Sequence, residues 1–507
     1  MQKLVRKIIC MLVFCVTVCS VTVIGINNKK NMTQPSFEPD IEWIHIFDSI
    51  INDRANYVDQ TADGGYIFTG STVVTPPGYT ELLLAKTDAN GEESWHNNFP
   101  LEYINLYGTA VHQTTDGGYI IVGSVGGGWL WDVQVTKADA NGDLVWQKSF
   151  GKSDELDHGC DILQTSDGGY IVLGMTNSYG NGGADLWLIK LAADGSEQWN
   201  KTIGGDSYDE PKSFTKTVDG GYVIVGWTDA LDYMGDVWVV KTDDAGEEVW
   251  QKTFGEIDFM EYGVCVKTVS NGYIVLGSFQ DQDENYTESL WLLSLDSQGT
   301  LIWDQQISEN VTVFGTSVTP TTDGGYFITG ILMTDMESAI PDAYLLKLNN
   351  QGVKQWVKTL DISNGFNDEA NCGIQARDGG YVAVGSTGDF FNVTHEPYSD
   401  TFILRIEAEK SVVLDSVTGG FGVHAHVKNL GTTEATDVDV SIKITGGIFH
   451  LINVSYMETI SIPGGEEATV SRKPFLGLGS IDIAVTVNGV TSDYDGKQLI
   501  ILTKLQS

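Results

Sequence analysis

Residues 208–254 read YDEPKSFTKTVDGGYVIVGWTDALDYMGDVWVVKTDDAGEEVWQKTF, and this stretch decides the fold. Within it, Ser213 to Thr217, Tyr222 to Thr228, Asp236 to Thr242 and Glu248 to Phe254 are short runs rich in Val, Ile, Trp, Tyr and Thr, each bounded by Gly, Asp or Asn. Such runs predict four strands, because β-branched and aromatic side chains suit a pleated sheet and the bounding residues suit turns.

The stretch is one copy of a repeat. Trp43, Trp95, Trp146, Trp199, Trp250, Trp303 and Trp356 recur at intervals of 52, 51, 53, 51, 53 and 53 residues. A Gly-Tyr pair recurs between them, ending at Tyr66, Tyr119, Tyr170, Tyr222, Tyr273, Tyr326 and Tyr381. Each pair is followed four residues later by glycine, from Gly70 to Gly385. Four strands at a period near 50 predict the blade of a β-propeller. The expected fold is therefore all-β: a seven-bladed propeller over residues 41–409. Trp43 precedes any Gly-Tyr pair, and the last unit, through Asp400 to Ile406, has no tryptophan strand after it. Residues 41–47 are thus expected to complete the seventh blade and close the ring by pairing both ends of the repeat region. A solenoid would need caps instead.

Local chemistry accounts for the turns. Asp-Gly-Gly at 63–65, 116–118, 167–169, 219–221, 323–325 and 378–380, with Ser270-Asn271-Gly272 in the fifth copy, supplies the positive φ of tight hairpins. Asp88-Ala-Asn-Gly and Asp139-Ala-Asn-Gly start like a calcium loop but lack the length and distal Glu of an EF-hand, so they read as hairpins. The seven tryptophans are expected to pack between neighbouring blades, each burying apolar area worth about 2–3 kcal/mol.

Lys3, Arg6 and Lys7 precede an uncharged stretch from Ile8 to Ile26. Its length lies between a signal-peptide core and a bilayer span, so residues 1–30 read as a signal peptide or as an uncleaved anchor. Either reading places the body outside the cytoplasm, secreted or held on the outer side of the membrane. Sixty-eight acids against 29 bases leave a net charge of −39. That charge excludes nucleic acid and anionic membrane surfaces as partners and favours cations or basic partners; the only membrane contact expected is the N-terminal segment. Sequons at Asn31, Asn200, Asn285, Asn310, Asn392 and Asn453 suit an exported chain, though six is near the chance number. Cys160, Cys265 and Cys372 fall in three different blades and read as small buried residues.

After Glu409 the tryptophan period stops. A new alternation begins at Val423-His-Ala-His-Val-Lys-Asn-Leu-Gly and continues through Val438-Asp-Val-Ser-Ile-Lys-Ile, which predicts a small immunoglobulin-like β-sandwich over 411–507. Val427-Lys-Asn-Leu-Gly431 followed by Ala435-Thr-Asp-Val-Asp-Val resembles the Val-x-Asn-x-Gly turn of CARDB-type Ig-like domains of prokaryotic surface proteins. The repeats themselves resemble a broad group of uncharacterised bacterial and archaeal cell-surface propellers, carried by units such as Thr217-Val-Asp-Gly-Gly-Tyr-Val-Ile-Val-Gly-Trp-Thr. That resemblance implies a cell-surface location and no particular reaction.

No Gly-x-Ser-x-Gly, His-Glu-x-x-His, P-loop or Rossmann motif appears, and only His424 and His426 lie close together among the histidines. Any site must come from loops gathered on one propeller face. Asp53, Asp157, Asp209, Glu261 and Asp368 stand at the entry to the innermost strand of five copies, where Leu106 and Val313 interrupt the series. A ring of carboxylates repels itself, and a hard cation such as Ca²⁺ would relieve the repulsion. The alternative is that these acids begin strands in turns and stay solvated. The loops between second and third strands carry Trp129, Trp131, Tyr179, Tyr233, Phe390 and Phe391, rings suited to sugar or peptide contacts or to capping the blades.

These features favour a non-catalytic binding, display or adhesion protein at the cell surface, with a polysaccharide, a peptide or a surface protein as partner. The other reading is an enzyme. Asp157 and Asp209 could serve a polysaccharide hydrolase or lyase as acid and base. The Lys-x-Asp-x-x-Gly-x-x-x-Trp unit also resembles the tryptophan-docking repeat of pyrroloquinoline quinone dehydrogenases. Those enzymes usually have eight blades and often a vicinal disulfide, whereas this chain has seven copies and no adjacent cysteines.

Overall fold

A computed structural model describes Thr22–Asn28 and residues 39–499, except 48–52, 75–78, 102–103, 129, 153, 230–234, 257–258, 281–286, 310, 334–339, 364, 390–397, 409–411, 421, 430–434, 447–451, 473–478 and 488–489. The described residues are all-β, without a helix. No helix among them is long and apolar enough to cross a membrane. Residues 40–408 form one compact unit, and the remaining residues form another.

The larger unit has β-propeller repeat architecture, built from seven four-stranded antiparallel sheets. Sheet I runs Asp53–Gln60, Tyr66–Val74, Tyr79–Thr87, Glu93–Phe99. Sheets II to VI repeat this order over 105–150, 157–203, 209–254, 261–307 and 312–360. Sheet VII takes three strands from 367–406 and its outer strand, Ile41–Phe47, from before sheet I. The first strands touch one another in succession, and Asn367–Gln375 returns to touch Asp53–Gln60, so the seam lies inside one sheet. In every sheet the second strand is buried on both faces, as Tyr222–Thr228 shows, which is why it reads as an unbroken apolar run.

The two sequence marks meet across sheet boundaries. Trp95 of sheet I lies 5.7 Å from Tyr119 of sheet II, and Trp146 lies 6.0 Å from Tyr170 of sheet III. At the seam, Trp43 of sheet VII lies 6.3 Å from Tyr66 of sheet I. The glycine four residues before each internal tryptophan seats the tryptophan of the preceding copy: a Cβ on Gly142 (φ +83°) would stand 2.4 Å from the Trp95 ring. Period and fold are thus one fact, because each copy carries both the ring and the socket for its neighbour's ring.

In six of the seven sheets a buried cation joins the third strand to the hairpin of its own sheet. Lys86, Lys137, Lys190, Lys241 and Lys347 pair with Asp63, Asp116, Asp167, Asp219 and Asp323 at 2.8 to 3.2 Å, and Arg405 pairs with Asp378 at 2.5 Å. In sheet V the position of the lysine is Ser294 and that of the aspartate is Ser270, so both partners are missing together.

The smaller unit consists of two sheets. A five-stranded sheet runs Thr22–Asn28, Val490–Leu499, Gly479–Val487, Ala435–Gly446, Ile452–Ile462, and a three-stranded sheet runs Val412–Gly420, Gly422–Asn429, Glu467–Arg472. Val423, Ala425 and Val427 from one sheet and Val438, Val440, Ile442 and Ile444 from the other fill its core, the alternation expected of a half-buried strand. This unit includes Thr22–Asn28, which overlaps the apolar stretch of the N-terminal segment; residues 1–21 lie outside the described residues.

Candidate functional site

The five acids of the innermost strands are buried: Asp53, Asp157, Asp209, Glu261 and Asp368 are between 0% and 5% exposed. They are therefore not the solvated strand-starting acids of the alternative reading. Asp157 accepts hydrogen bonds from the Thr176 hydroxyl, from Ser178 Oγ at 2.5 Å and from the Lys152 N–H at 3.3 Å. Asp368 accepts from Thr387 Oγ1 at 2.5 Å, Ser363 Oγ at 3.0 Å and the Ile362 N–H at 2.7 Å.

Four of the five also face a second acid, contributed by the third strand of the preceding sheet. A Cβ on Gly151 would lie 2.2 Å from Asp132 Oδ1 and 2.5 Å from Asp157 Oδ2, and one on Gly204 would lie 1.9 Å from Asp185 Oδ1 and 2.9 Å from Asp209 Oδ2. Gly255 lies in the same way between Asp236 and Glu261. At the sixth junction, carboxylate oxygens of Asp342, Asp361 and Asp368 come within 4.8 Å of one another. Backbone bonds hold this register: Asp209 N–H donates to Ala184 O at 2.7 Å and Glu261 N–H to Gly235 O at 2.9 Å. Sequence reading missed the second set, although Glu81, Asp132, Asp185, Asp236 and Asp342 each stand fourteen residues before a period tryptophan.

Pairing acid with acid inside a protein raises pKa values. Burial, with a smaller push from the Asp209 charge, raises Asp185 to about 6 against the Asn181 N–H that favours its charge. Burial, then Asp157, raises Asp132; burial, then Asp361 and Asp368, raises Asp342. Such pairs can share a proton or hold a hard cation between oxygens. Asp157 and Asp209, the residues expected as acid and base for a polysaccharide, are each buried and turned toward a second acid, Asp132 and Asp185.

Among the loop aromatics, Trp131 and Tyr179 are described, whereas Trp129, Tyr233, Phe390 and Phe391 lie outside the described residues. Trp131 is half-buried, its indole N–H donating to Gly128 O at 3.1 Å and its ring 5.2 Å from Tyr107 and 6.1 Å from His158. It forms part of a cleft of about 390 Å³ with Leu101, Ile104, Leu130, Asp132, Lys152 and Glu155. Tyr179 is 38% exposed, packs on Trp187 at 5.1 Å and has the Lys152 ammonium 4.5 Å from its ring centre.

A further cluster escaped sequence reading. Tyr57, Asp59, His112 and Asp161, on the first strands of sheets I to III, meet around His112, with Asp59 at 3.2 Å, the Tyr57 hydroxyl at 3.3 Å and Asp161 at 3.9 Å. Burial pulls the His112 pKa down, but the nearby Asp161 and Asp59 carboxylates outweigh it and hold it at about 9. Cys265 and Cys372 are buried free thiols, and Cys160 is half-buried. His424 and His426 bond separately to Ser471 and Glu467 on an outer face of the smaller unit.

No family model matches the chain, and no curated protein matches it. Among solved structures, it is similar to puromycin hydrolase at 13% identity and a TM-score of 0.45, over 74% of this chain and 59% of that one. It is also similar to a protein of unknown function from Dyadobacter fermentans (9% identity, TM-score 0.39, covering 72% and 100%). An exo-1,5-α-L-arabinanase from a bovine ruminal metagenomic library is similar at 13% identity and a TM-score of 0.28, covering 48% and 94%. These low-identity propeller neighbours thus include hydrolases, and at such likeness they assign this chain no activity.

Proposed function

We propose that the chain is a seven-bladed β-propeller followed by an immunoglobulin-like sandwich of the CARDB type, exported to the cell surface, where it acts as a non-catalytic binding or display protein. The observation that supports this reading most is the cleft beside Trp131. It opens among the exposed apolar side chains of Ile104 and Leu130, whereas the innermost-strand acids are buried. An indole beside carboxylates, walled by apolar side chains, suits a peptide or sugar.

The test is binding of the full chain to panels of polysaccharides and peptides, compared with a folded variant in which Trp129, Trp131 and Phe390 are all alanine. Saturable binding lost in the variant supports this face; unchanged binding removes it. The enzymatic reading, a polysaccharide hydrolase or lyase, draws on the raised pKa of Asp185 beside Asp209. Turnover abolished by Asp185→Asn would replace the binding proposal with it.

A further inference from the structure

We propose that the cleft beside Trp131 receives a lysine side chain of a protein partner, its stem along the apolar wall and its ammonium between the carboxylates of Asp132 and Glu155. This rests on the reading of the loop face as a binding surface and specifies what that face binds.

The wall comes from Leu101, Ile104 and Leu130, the last two 43% and 48% exposed. Apolar side chains so exposed, gathered around an indole, make a surface that gains from being covered. The charges decide by what. The one base of the cleft, Lys152, is already committed: its ammonium donates to the Ser178 carbonyl and lies over the Tyr179 ring. Of the acids, Glu155 is exposed with no ion-pair or hydrogen-bond partner for its carboxylate among the described residues, and Asp132, whose Oδ1 is buried toward Asp157 without a hydrogen-bond partner, lines the cleft with it.

Covering an unpaired carboxylate with a neutral sugar leaves its charge desolvated and uncompensated, whereas an ammonium compensates it. Lysine alone among side chains joins a flexible apolar stem to a compact cation, and it can bury that stem while its head stays polar. The parallel bridge between Trp131 and Leu156 fixes the site by holding the Asp132 strand beside the Glu155 turn across the junction of sheets II and III. A chain of net charge −39 also draws cationic partners toward it.

The probe is a heptapeptide of alternating leucine and lysine, titrated calorimetrically into the full chain at about 0.15 M salt, where surface attraction is largely screened. One saturable site is expected, weakened about tenfold or more by ε-acetylation of the peptide and equally by Asp132→Asn with Glu155→Gln. A thermal melt confirms that the double variant is folded. Equal binding of the acetylated peptide overturns the proposal, as does a multi-site isotherm that ignores the double variant, which is surface charge alone. Binding of a neutral glucan that needs Trp131, with no binding of the lysine peptide, overturns the lysine inference and leaves the binding reading standing. If no peptide or glycan binds, both fall.

Discussion

The two ends of the sheets treat their acids in opposite ways. At the Asp-Gly-Gly hairpins an aspartate meets a buried cation. At the other end, acids of adjacent sheets meet each other. The outcome appears within sheet III. Hydrogen bonds from Thr165, Lys190 and Gly169 draw Asp167 down to about 2, while burial and Asp209 push Asp185 up to about 6. One end has its electrostatics satisfied by the fold; the other holds repulsion that only a proton, a cation or a partner relieves. That asymmetry directs the search for function to the second end, since satisfied ion pairs need no ligand.

The comparison breaks most visibly at the hairpin end. Lys347 is wholly buried and Asp323 is its anion, so Asp323→Asn strands a charge in the interior. Loss of one partner of a buried pair costs about 3–5 kcal/mol, and the partial exposure of Asp323 trims the expectation to about 3 kcal/mol, read from the denaturant midpoint. A loss below about 1 kcal/mol would mean that the Gln355 and Leu348 oxygens, which also accept from Lys347, suffice without the aspartate.

At the opposite end, the corresponding experiment adds charge rather than removing it. If the paired acids hold calcium, a titration from chelator should raise the unfolding free energy by roughly 2.7 kcal/mol at about 100 times the dissociation constant. Asp157→Asn with Asp209→Asn should abolish that rise. A flat titration leaves shared protons as the resolution of the pairs.

Shared protons have their own signature, smaller and opposite in slope at the two ends. Asp185 has a raised folded-state pKa, so its contribution is fully present below its ordinary 3.8 and is lost as pH rises through about 6. Asp167 has a depressed one, so its contribution is present above 3.8 and lost as pH falls toward 2. Asp185→Asn should therefore stabilise the chain at pH 7 in chelator by about 1–2 kcal/mol and have no such effect near pH 3.5. Stabilisation at both pH values would assign the gain to packing rather than to charge.

How much of this was legible follows from which contacts repeat. The tryptophans, the Gly-Tyr pairs and the socket glycines fall on one period because each copy must fit the next, so architecture could be read from spacing alone. Asp157 and Asp209 were found because they open innermost strands. Their partners Asp132 and Asp185 were missed because opposition across a junction depends on how one sheet docks on the next, which no single strand encodes. The cleft was half legible. Trp131 stands out as a loop aromatic, but Leu101 and Ile104 come from the connection between sheets I and II, which carries none of the repeated marks.

Sheet V offers the finest test, because it is the copy in which the hairpin pair is absent: Ser294 replaces the lysine and Ser270 the aspartate. If the pair exists to satisfy charge and not to build the hairpin, installing half of it should hurt and installing all of it should not. Ser294→Lys alone buries an ammonium at a position 7% exposed and is expected to cost about 1–2 kcal/mol. Ser270→Asp alone, on the exposed turn, should change stability by less than about 0.5 kcal/mol. The double variant should recover the loss and end within about 0.5 kcal/mol of the parent, a coupling of about 1–2 kcal/mol in a double-mutant cycle. Additive effects would show that lysine and aspartate in the other sheets are neighbours without being partners, and the contrast between the two ends would then rest on the acid pairs alone.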